Sequence, residues 1–540
     1  MKNKDVFLAV VLGLLTFVVL DFFFPRTPQV SEQLKEPAVV AIDSTLPQEP
    51  VVVTSVENQP YIPVKNKLVK GRILLKGATI ADWNLTAYKQ TLEKNSPDVQ
   101  IQDTVQSGFS SSITEVPQAD TLWQADTTEL TPKQPVVLRW RNGQGVEFSR
   151  TFSLDDKYML TVTDKAVNTS SQKAVLRWRG QVTSVNPETE RTAVHQGFVG
   201  VMDDILQEET FDKVKKDGRK SFTTKNGWLG ITSKYWLTSI AFNSSNAIQS
   251  DYIFQEQQGQ NVFTAQALSE ERILAPGQST EQVAYIFVGP KEYTLLSDYQ
   301  KKLNIPKFDL AIDFGWFFFF TKPFLLLLGW LNQLLGNMGL AILLFATVLR
   351  ILMFPVASKS FESMAKMKKL QPEMAQLQAA YKDDKMRLNQ EMLLLYKKHK
   401  VNPASGCLPI FIQIPVFFSL YKVLSVSIEM RQAPFIWWIR DLSAADPSSV
   451  FTLFGLVPWP IPSFLNLGVL PVLMGITMFI QQKMTPSTNP DQKANPALQW
   501  MPVIFTFMFG RMASGLVLYW TWSNVLSMIQ QKYIMHKTKA

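Results

Sequence analysis

The sequence predicts a polytopic α-helical membrane protein with six spans, a large periplasmic antiparallel β-sandwich domain and a cytoplasmic helical hairpin. The chain has 540 residues, which is enough for several domains. Repeated apolar runs rich in Phe, Leu, Met and Trp fill the C-terminal part, as is typical of membrane helices. Residues 57–305 instead show short alternating segments bounded by turn residues. A basic, helix-favouring stretch at 358–404 separates the apolar runs.

Residues 1–25 predict an N-terminal signal-anchor span. Lys2 and Lys4 precede roughly 19 mostly apolar residues, close to the ~20 that span a bilayer. The following "LDFFFPRTP" lacks the small residues of a cleavage site, so we favour an uncleaved anchor over a cleaved signal peptide. Residues 26–56 are Pro-rich and polar, which predicts a flexible tether.

Residues 57–305 predict the periplasmic β-sandwich domain. The segment "VVLRWRNGQGVEFSRTFSL" (136–154) has the pattern of a hairpin, with Asn142 and Gly143 at the turn and period-2 apolar positions after it. The chain's single cysteine, Cys407, rules out an internal disulfide framework. The domain must therefore be stabilised by its apolar core, and its length is ample for one.

Five C-terminal spans follow an apolar segment at 306–338. We predict that this segment is an interfacial helix, with a further span as the alternative. The spans are predicted at 339–357, 405–427, 466–483, 498–512 and 514–531. Four of the five are interrupted or bounded by proline, so straight helices in tight packing are not expected. These prolines are Pro355, Pro409, Pro415, Pro471 and Pro502.

Basic residues predict the orientation. The 358–404 loop and the short tail at 532–540 are rich in lysine, whereas the 428–465 loop holds only Arg431 and Arg440. The positive-inside rule therefore puts both termini and the 358–404 hairpin of this multi-pass protein in the cytoplasm. Anionic lipids explain the net charge of +9 without specific DNA binding, and ribosomal RNA is left open as a partner.

Arg350 lies inside an apolar run, roughly 10 Å from the inner end of its span at ~1.5 Å per residue. Gln413, Ser523 and Asn524 lie at a similar depth, roughly 10–12 Å, in two other spans. The five predicted spans hold no Asp or Glu, so water is the expected solvating agent and a hydrated cavity open to the cytoplasm is predicted. Alternatively, Arg350 snorkels to the surface and the amides bond between helices.

The cytoplasmic loop predicts two helical arms, at 358–380 and 384–400, with Pro372 breaking the first arm. Five methionines recur along the arms. They predict adaptable apolar contacts with partners, or packing of the two arms against each other. They are Met364, Met367, Met374, Met386 and Met392.

Enzyme signatures are missing from the sequence. It contains no nucleotide-binding phosphate loop, no paired-histidine zinc motif and no serine nucleophile elbow. With only three histidines, we expect no metal site, no cofactor and no catalytic residue. A transporter stays open, because proline-broken helices are typical of transporters.

Several segments resemble the YidC/Oxa insertase family. They are "SMAKMKKLQPEMAQLQ", "KVNPASGCLPIFIQIPVFFSLY", "EMRQAPFIWWIRDLSAADP", "QQKMTPST", "MPVIFTFMF" and "SGLVLYWTWSNVLSMIQQ", with "NGWLGITSKYWLTSIAF" (226–242) in the periplasmic part. The resemblance implies a membrane protein insertase and foldase that acts alone or beside the Sec translocon. Its implied partners are nascent membrane proteins, the Sec translocon, and the ribosome with its targeting factors.

The resemblance also implies functional residues. The family's groove arginine, glutamine and aromatic residue correspond to Arg350, Gln413 and Trp520. Some relatives have a polar residue one turn before the arginine, where this chain has Ala346 beside Thr347. The tail "KYIMHKTKA" is short, which argues against ribosome docking through the tail.

The resemblance relates the sandwich to galactose-mutarotase folds. Catalysis in such a cleft needs a histidine and a carboxylate, and this part of the chain has only His195. We therefore predict that the sandwich is non-enzymatic. A membrane-tethered sugar-binding protein is the other alternative.

Overall fold

The computed structural model describes residues 59–539 except 191, 193, 383, 400, 402–407, 453–466 and 485–495. The predicted anchor (1–25) and tether (26–56) lie outside the described residues. The chain divides into two compact units between Asp313 and Phe314. The first unit is built from β-strands and the second from helices.

The strands of the first unit are β1 Tyr61–Lys65, β2 Val69–Leu74, β3 Thr79–Lys89, β4 Asp98–Ile101, β5 Thr104–Ser110, β6 Gln124–Ala125, β7 Val136–Arg141, β8 Val146–Leu154, β9 Met159–Asn168, β10 Ala174–Val185, β11 Gly197–Met202, β12 Ile205–Thr210, β13 Arg219–Thr232, β14 Trp236–Gln257, β15 Gln260–Ser269, β16 Arg272–Leu274 and β17 Ser279–Pro290. Two helices, α1 Phe211–Asp217 and α2 Tyr293–Leu303, and a 3-10 turn at Phe308–Ala311 accompany the strands. The alternating pattern alone did not predict these helices.

The 22-residue strand β14 connects the two parts of the sheet. Its first part, from Trp236 to Phe242, pairs with β17, and its second part, from Ile248 to Gln257, pairs with β15. From β17 the pairing continues through β9, β8 and β7, and from β15 it continues through β10 and β5. Every named strand pair in the described part of the chain is antiparallel, as the β-sandwich prediction requires.

The predicted hairpin at 136–154 is confirmed. Strands β7 and β8 pair in the register that places Arg141 opposite Glu147. The Asn142 side chain closes the turn, because its Oδ1 accepts from Gln144 N at 3.0 Å and Val146 N at 2.7 Å. Gly145, not Gly143, has the positive φ of 88°, so the turn extends two residues beyond the predicted pair.

Large aromatic side chains form the core of the first unit. Phe198 stacks on Tyr252 with ring centroids 4.7 Å apart, and Phe308 of the 3-10 turn meets the edge of Trp228 at 5.2 Å. All four are fully buried. The apolar positions of the alternating segments therefore point inward, which is the burial that stabilises a sandwich without a disulfide.

The helices of the second unit are α3 Phe318–Leu335, α4 Met338–Leu352, α5 Phe354–Lys369, α6 Gln371–Ala380, α7 Lys385–Lys398, α8 Leu408–Val426, α9 Val469–Met484, α10 Pro496–Phe509 and α11 Ser514–Lys539. Helix α11 continues past Gln531, where we predicted the span to end, and includes the predicted tail as far as Lys539. The tail is therefore a helical extension.

The segment predicted as a span over 339–357 is not one continuous helix, in line with the expectation that Pro355 interrupts or bounds it. Helix α4 ends at Leu352, and α5 departs from it with a bend of 64°. Pro355 lies in the first turn of α5 and has no N–H to donate to the carbonyl of Ile351, so the α4 ladder cannot continue. The depth of Arg350 counted along a straight helix to Ala357 therefore does not hold.

Among the described helices, only α3 is long and apolar enough to cross a membrane, or two candidates exist if α4 and α5 are counted as one broken span. The interfacial position predicted for this helix stays a prediction. Shorter apolar helices occur at Gln413–Val426, Val469–Met484 and Gln499–Phe509. Helix α11 is 26 residues long, but its polar residues lower its mean hydropathy. The helical character of the membrane region is thus observed, whereas the number of six spans is not.

The two predicted arms of the loop are present as helices. The first arm breaks at Leu370, between α5 and α6, and Pro372 lies in the first turn of α6 as predicted. Helix α7 forms the second arm, and the Asp384 side chain caps its start by accepting from Arg387 N at 3.0 Å.

Candidate functional site

Helix α11 carries a column of polar side chains in the middle of the second unit. Tyr519, Ser523, Ser527 and Gln531 follow one another at intervals of four residues, so they share one face of the helix. All four are buried. Burial of this many polar groups is stable only with hydrogen-bond partners, and the neighbouring helices supply them.

Arg350 of α4 bonds to this column. Its Nη2 donates to the Ser523 carbonyl oxygen at 3.1 Å and to the Ser523 Oγ at 2.6 Å. The expectation that water alone solvates the guanidinium is therefore wrong for Nη2. The other guanidinium nitrogens, Nε and Nη1, carry three N–H groups and have no hydrogen-bond partner within the described part of the chain.

Gln413 of α8 approaches the same column one turn earlier. Its Nε2 donates to the Tyr519 hydroxyl at 3.0 Å. Arg350 and Gln413 thus bond to neighbouring positions on one face of α11, which brings together the first two residues of the predicted groove. Tyr519, the partner of Gln413 one turn before Ser523, was not predicted from the sequence.

Trp520 points to a different side of α11, into an aromatic cluster. Its ring lies 4.8 Å from that of Phe417 and 5.1 Å from that of Phe509, between centroids. The cluster joins α8, α10 and α11 through edge contacts. Trp520 therefore packs beside the polar column without joining it.

Thr347 and Asn524 do not bond to Arg350, and each has a different hydrogen-bond partner. The Trp522 Nε1 donates to the Thr347 Oγ1 at 3.0 Å, and the Asn524 Nδ2 donates to the Thr477 Oγ1 at 3.1 Å. Both bonds join α11 to another helix, α4 in the first case and α9 in the second. For Asn524 the structure thus favours the alternative of a bond between helices.

The polar column continues to the helix bend. Gln530 Nε2 donates to the Phe354 carbonyl oxygen at 3.3 Å, and Gln531 Nε2 donates to the Met484 carbonyl oxygen at 3.0 Å. Ser527, Gln530 and Gln531, like Tyr519, were not predicted from the sequence. The interval of four residues in "YWTWSNVLSMIQQ" (519–531) is the signal that could have found three of them.

The hairpin methionines divide into two groups. Met367, Met374 and Met392 are buried together with Leu370, Leu395 and Val401 in a core between the arms. Met364 is buried in a second cluster with Ala357, Phe361 and Ile534 of α11. Met386 is 77% exposed, so of the five it alone is available to a partner. The other four fit the alternative of packing within the protein.

The site is electropositive. Helices α4, α8, α9, α10 and α11 contain no Asp or Glu, so no carboxylate on these helices neutralises Arg350. The described residues include no group of His, Cys, Asp and Glu that could hold a metal ion. His195 is buried in the first unit, and its Nε2 lies 2.9 Å from the Phe198 carbonyl oxygen. The site can therefore attract and solvate negative or polar groups, which is binding chemistry.

Two family models match the chain. One, described as the 60Kd inner membrane protein, covers residues 330–540, and the other, described as the YidC periplasmic domain, covers residues 61–327. The chain is similar to the membrane protein insertase YidC of Rickettsia conorii, with 42% identity over 519 residues, 94% of this chain and 92% of the relative. The corresponding protein of Rickettsia bellii is 41% identical over the same shares. A crystal structure described as an active YidC insertase is 18% identical, with a TM-score of 0.37, over 97% of this chain and 98% of that chain.

Proposed function

Because the chain belongs to the YidC family of membrane protein insertases, we propose that the polar column around Arg350 receives the polar segment of a membrane protein during its insertion. The observation that carries this proposal is the state of the guanidinium. Two of its N–H groups are held by Ser523, while three have no protein partner in the described residues. A cation fixed in this way can donate hydrogen bonds to a carboxylate or to a backbone carbonyl group of a passing chain.

The proposed mechanism places this site in a hydrated groove open to the cytoplasm. Such a groove shortens the apolar barrier that a polar segment must cross. The substrate's own apolar helix of ~20 residues then moves into lipid, and its burial contributes ~25 cal/mol per Å². The membrane potential, positive outside, favours outward movement of an acidic tail by ~2.3 kcal/mol per charge per 100 mV. No hydrolysis of a nucleotide by this chain is needed.

The proposed topology is multi-pass in the inner membrane, with six spans and both termini in the cytoplasm. The lysine-rich 358–404 loop and the basic end of α11 support it, since the 428–465 loop carries only two basic residues. Helix α3 lies at the outer interface in this arrangement. Trp316, just before the helix, and Trp330, within it, are exposed, and exposed tryptophans are typical of a membrane–water boundary.

The proposed partners are nascent membrane proteins, the Sec translocon, the ribosome with its targeting factors, and anionic lipids. The hairpin is the contact surface proposed for the emerging chain or targeting factors, through the exposed Met386. Lysines along the hairpin suit anionic headgroups. The transporter and the tethered sugar-binding protein find no support in the named relatives, which are insertases along nearly their whole length.

The proposal is tested by rescue of insertion. Cells depleted of their own insertase receive the wild-type chain or Arg350→Ala, and insertion of reporter membrane proteins is scored by protease protection. We expect the wild-type chain to restore insertion and Arg350→Ala to restore it in part, with the largest deficit for acidic-tailed reporters. Full rescue of every reporter by Arg350→Ala would remove the polar column from the mechanism. Failure of the wild-type chain at normal abundance would contradict the insertase function itself.

A further inference from the structure

A short turn at 435–439, in the segment between α8 and α9, holds a strained and exposed tryptophan. Trp437 has a φ of 53°, in the left-handed region that a bulky side chain rarely adopts. Its side chain is 82% exposed, and its ring stacks on that of Trp438 at a centroid distance of 5.7 Å. A strained residue of this kind persists only where the surrounding structure holds it, so its position calls for an explanation.

The surrounding structure holds the turn firmly. Phe435 N donates to the Ile439 carbonyl oxygen at 2.9 Å, and Ile439 is buried. Trp438 Nε1 donates to Asp446 Oδ1 at 3.0 Å, and the other carboxylate oxygen accepts from Leu470 N at 2.8 Å, in the first turn of α9. With both of its flanks fixed, the turn directs Trp437 away from the protein.

The turn is attached to the start of helix α4. Asn337, which caps α4 by accepting from Leu340 N at 3.0 Å, donates through Nδ2 to the Phe435 carbonyl oxygen at 3.1 Å. The Phe435 ring lies directly against Gly339. Arg350 is near the other end of α4, roughly 18 Å from the turn at ~1.5 Å per residue. Helix α4 thus fixes the distance along its axis between the turn and Arg350.

The exposed side chains of the turn have the chemistry of a membrane interface. Ile436 is 43% exposed beside Trp437, and Arg440 is exposed immediately after the turn. Tryptophan combines a large apolar ring with an N–H donor and is enriched at headgroup level. A neighbouring arginine is complementary to lipid phosphate. If the turn faced water, a bulky apolar residue would be strained in this conformation without gaining burial, whereas glycine would adopt the conformation without strain.

We propose that the 435–439 turn inserts Trp437 into the outer headgroup region of the lipid bilayer and so fixes the depth of α4 and Arg350. This inference rests on the topology of the proposed function, in which the N-terminal end of α4 faces outward. The occupant is the bilayer surface itself. The turn acts as a stop that keeps the polar column at a constant depth while substrates pass.

The test uses a spin label next to the tryptophan. Ile436→Cys carries the label in the full chain after Cys407, the single cysteine, is replaced by serine, and Lys133→Cys on the β-sandwich unit gives the matched control label. Collision of each label with oxygen, which partitions into lipid, is compared with collision with a water-soluble nickel chelate. The vesicles contain phosphatidylethanolamine and phosphatidylglycerol. The turn carries Trp437, Trp437→Tyr or Trp437→Gly, and the last keeps the backbone conformation without strain.

We expect oxygen to dominate at Ile436→Cys with Trp437 and with Trp437→Tyr, and the chelate to dominate with Trp437→Gly. The chelate should dominate at Lys133→Cys throughout. Chelate dominance at Ile436→Cys with Trp437 present would overturn the proposal, because the turn would then lie in water. Shielding from both reagents would also overturn it, since a second copy of the chain would then cover the turn. Insertion of a reporter protein in the same vesicles distinguishes failure of the turn proposal from failure of the proposed insertase function. Normal insertion together with a water-exposed label at Ile436→Cys contradicts only the role of the turn.

Discussion

At the scale of single residues, the close approach of Phe435 to Gly339 is the most sharply testable contact. A Cβ atom added at Gly339 would lie 2.0 Å from the nearest atom of the Phe435 ring. No side chain larger than hydrogen fits without moving either the ring or the helix. Because the 435–439 turn also bonds to Asn337, a displaced ring disturbs the whole start of α4.

Gly339→Ala should therefore destabilise the protein by about 1–3 kcal/mol, the usual cost of overpacking. Helix propensity alone predicts the opposite sign, since alanine is favoured over glycine by up to ~1 kcal/mol. The matched control is Gly329→Ala in α3, where nothing lies within 4 Å of the added Cβ and a small stabilisation is expected. Thermal unfolding of the purified proteins in detergent measures both. Equal melting temperatures for the two variants would contradict the contact.

Residue types in the sequence located Arg350 and Gln413 but not their partners. A lone arginine among apolar residues is visible in the sequence, whereas the choice of Ser523 over water depends on how α4 and α11 pack. Asn524 shows the same limit, because its neighbour Thr477 is 47 positions away in the chain. Hydrogen-bond partners on other helices depend on tertiary structure. A similar depth in the membrane therefore did not show which of the predicted polar residues are in contact.

At the scale of elements, the hairpin shows how one sequence pattern can serve two purposes. Its methionines recur along both arms, yet three of them form a core between the arms and a fourth packs against α11. The break at Leu370 and Pro372 was predictable because proline ends a helix locally. Which methionines face inward was not predictable, because their burial depends on how the arms pack against each other and against α11.

Met374→Ala should loosen the hairpin, whereas Met386→Ala should not. Met374 is buried in the core of the hairpin, so its truncation costs about 2–5 kcal/mol through lost burial and the remaining cavity. Met386 is exposed, and its truncation should change stability by no more than about 0.5 kcal/mol. Limited proteolysis of the 358–404 region in the membrane-bound protein measures the difference. If both variants are cleaved at the wild-type rate, the core between the arms does not hold the hairpin together.

Of the two methionine variants, only Met386→Ala should reduce insertion by removing a direct contact with the emerging chain. If the hairpin meets emerging chains through this side chain, insertion by Met386→Ala should fall while resistance to protease is unchanged. Met386→Leu, which roughly keeps the apolar volume, is its matched control and should insert normally.

At the scale of the whole molecule, the chain consists of two compact units that are stabilised by different kinds of packing. The first is stabilised by aromatic burial between antiparallel strands, and the second by apolar helices around one buried polar column. The change in composition near residue 305 predicted this division. The sequence predicted an interruption at Pro355 but not the 64° bend after Leu352, because the effect of a proline on helix direction depends on the neighbouring helices.

The polar column lies entirely in the second unit, so the first unit should be dispensable for insertion. A chain that lacks most of residues 57–300 but keeps the anchor and α3 should still support insertion in depleted cells. The measurement is protease protection of reporter proteins at matched abundance of the two chains. Complete loss of insertion by the stable shortened chain would place an essential function in the β-sandwich unit.

The central claim is that the charge of Arg350 receives the polar segment of a substrate. The most direct measurement compares insertion of an acidic-tailed and a neutral-tailed version of one substrate by wild type, Arg350→Lys and Arg350→Glu. Lysine keeps the positive charge, so Arg350→Lys should insert both versions nearly as well as wild type. Arg350→Glu should fail most on the acidic tail, because like charges repel strongly in a site of low dielectric constant. Equal insertion of the acidic-tailed version by Arg350→Glu and wild type would contradict the claim.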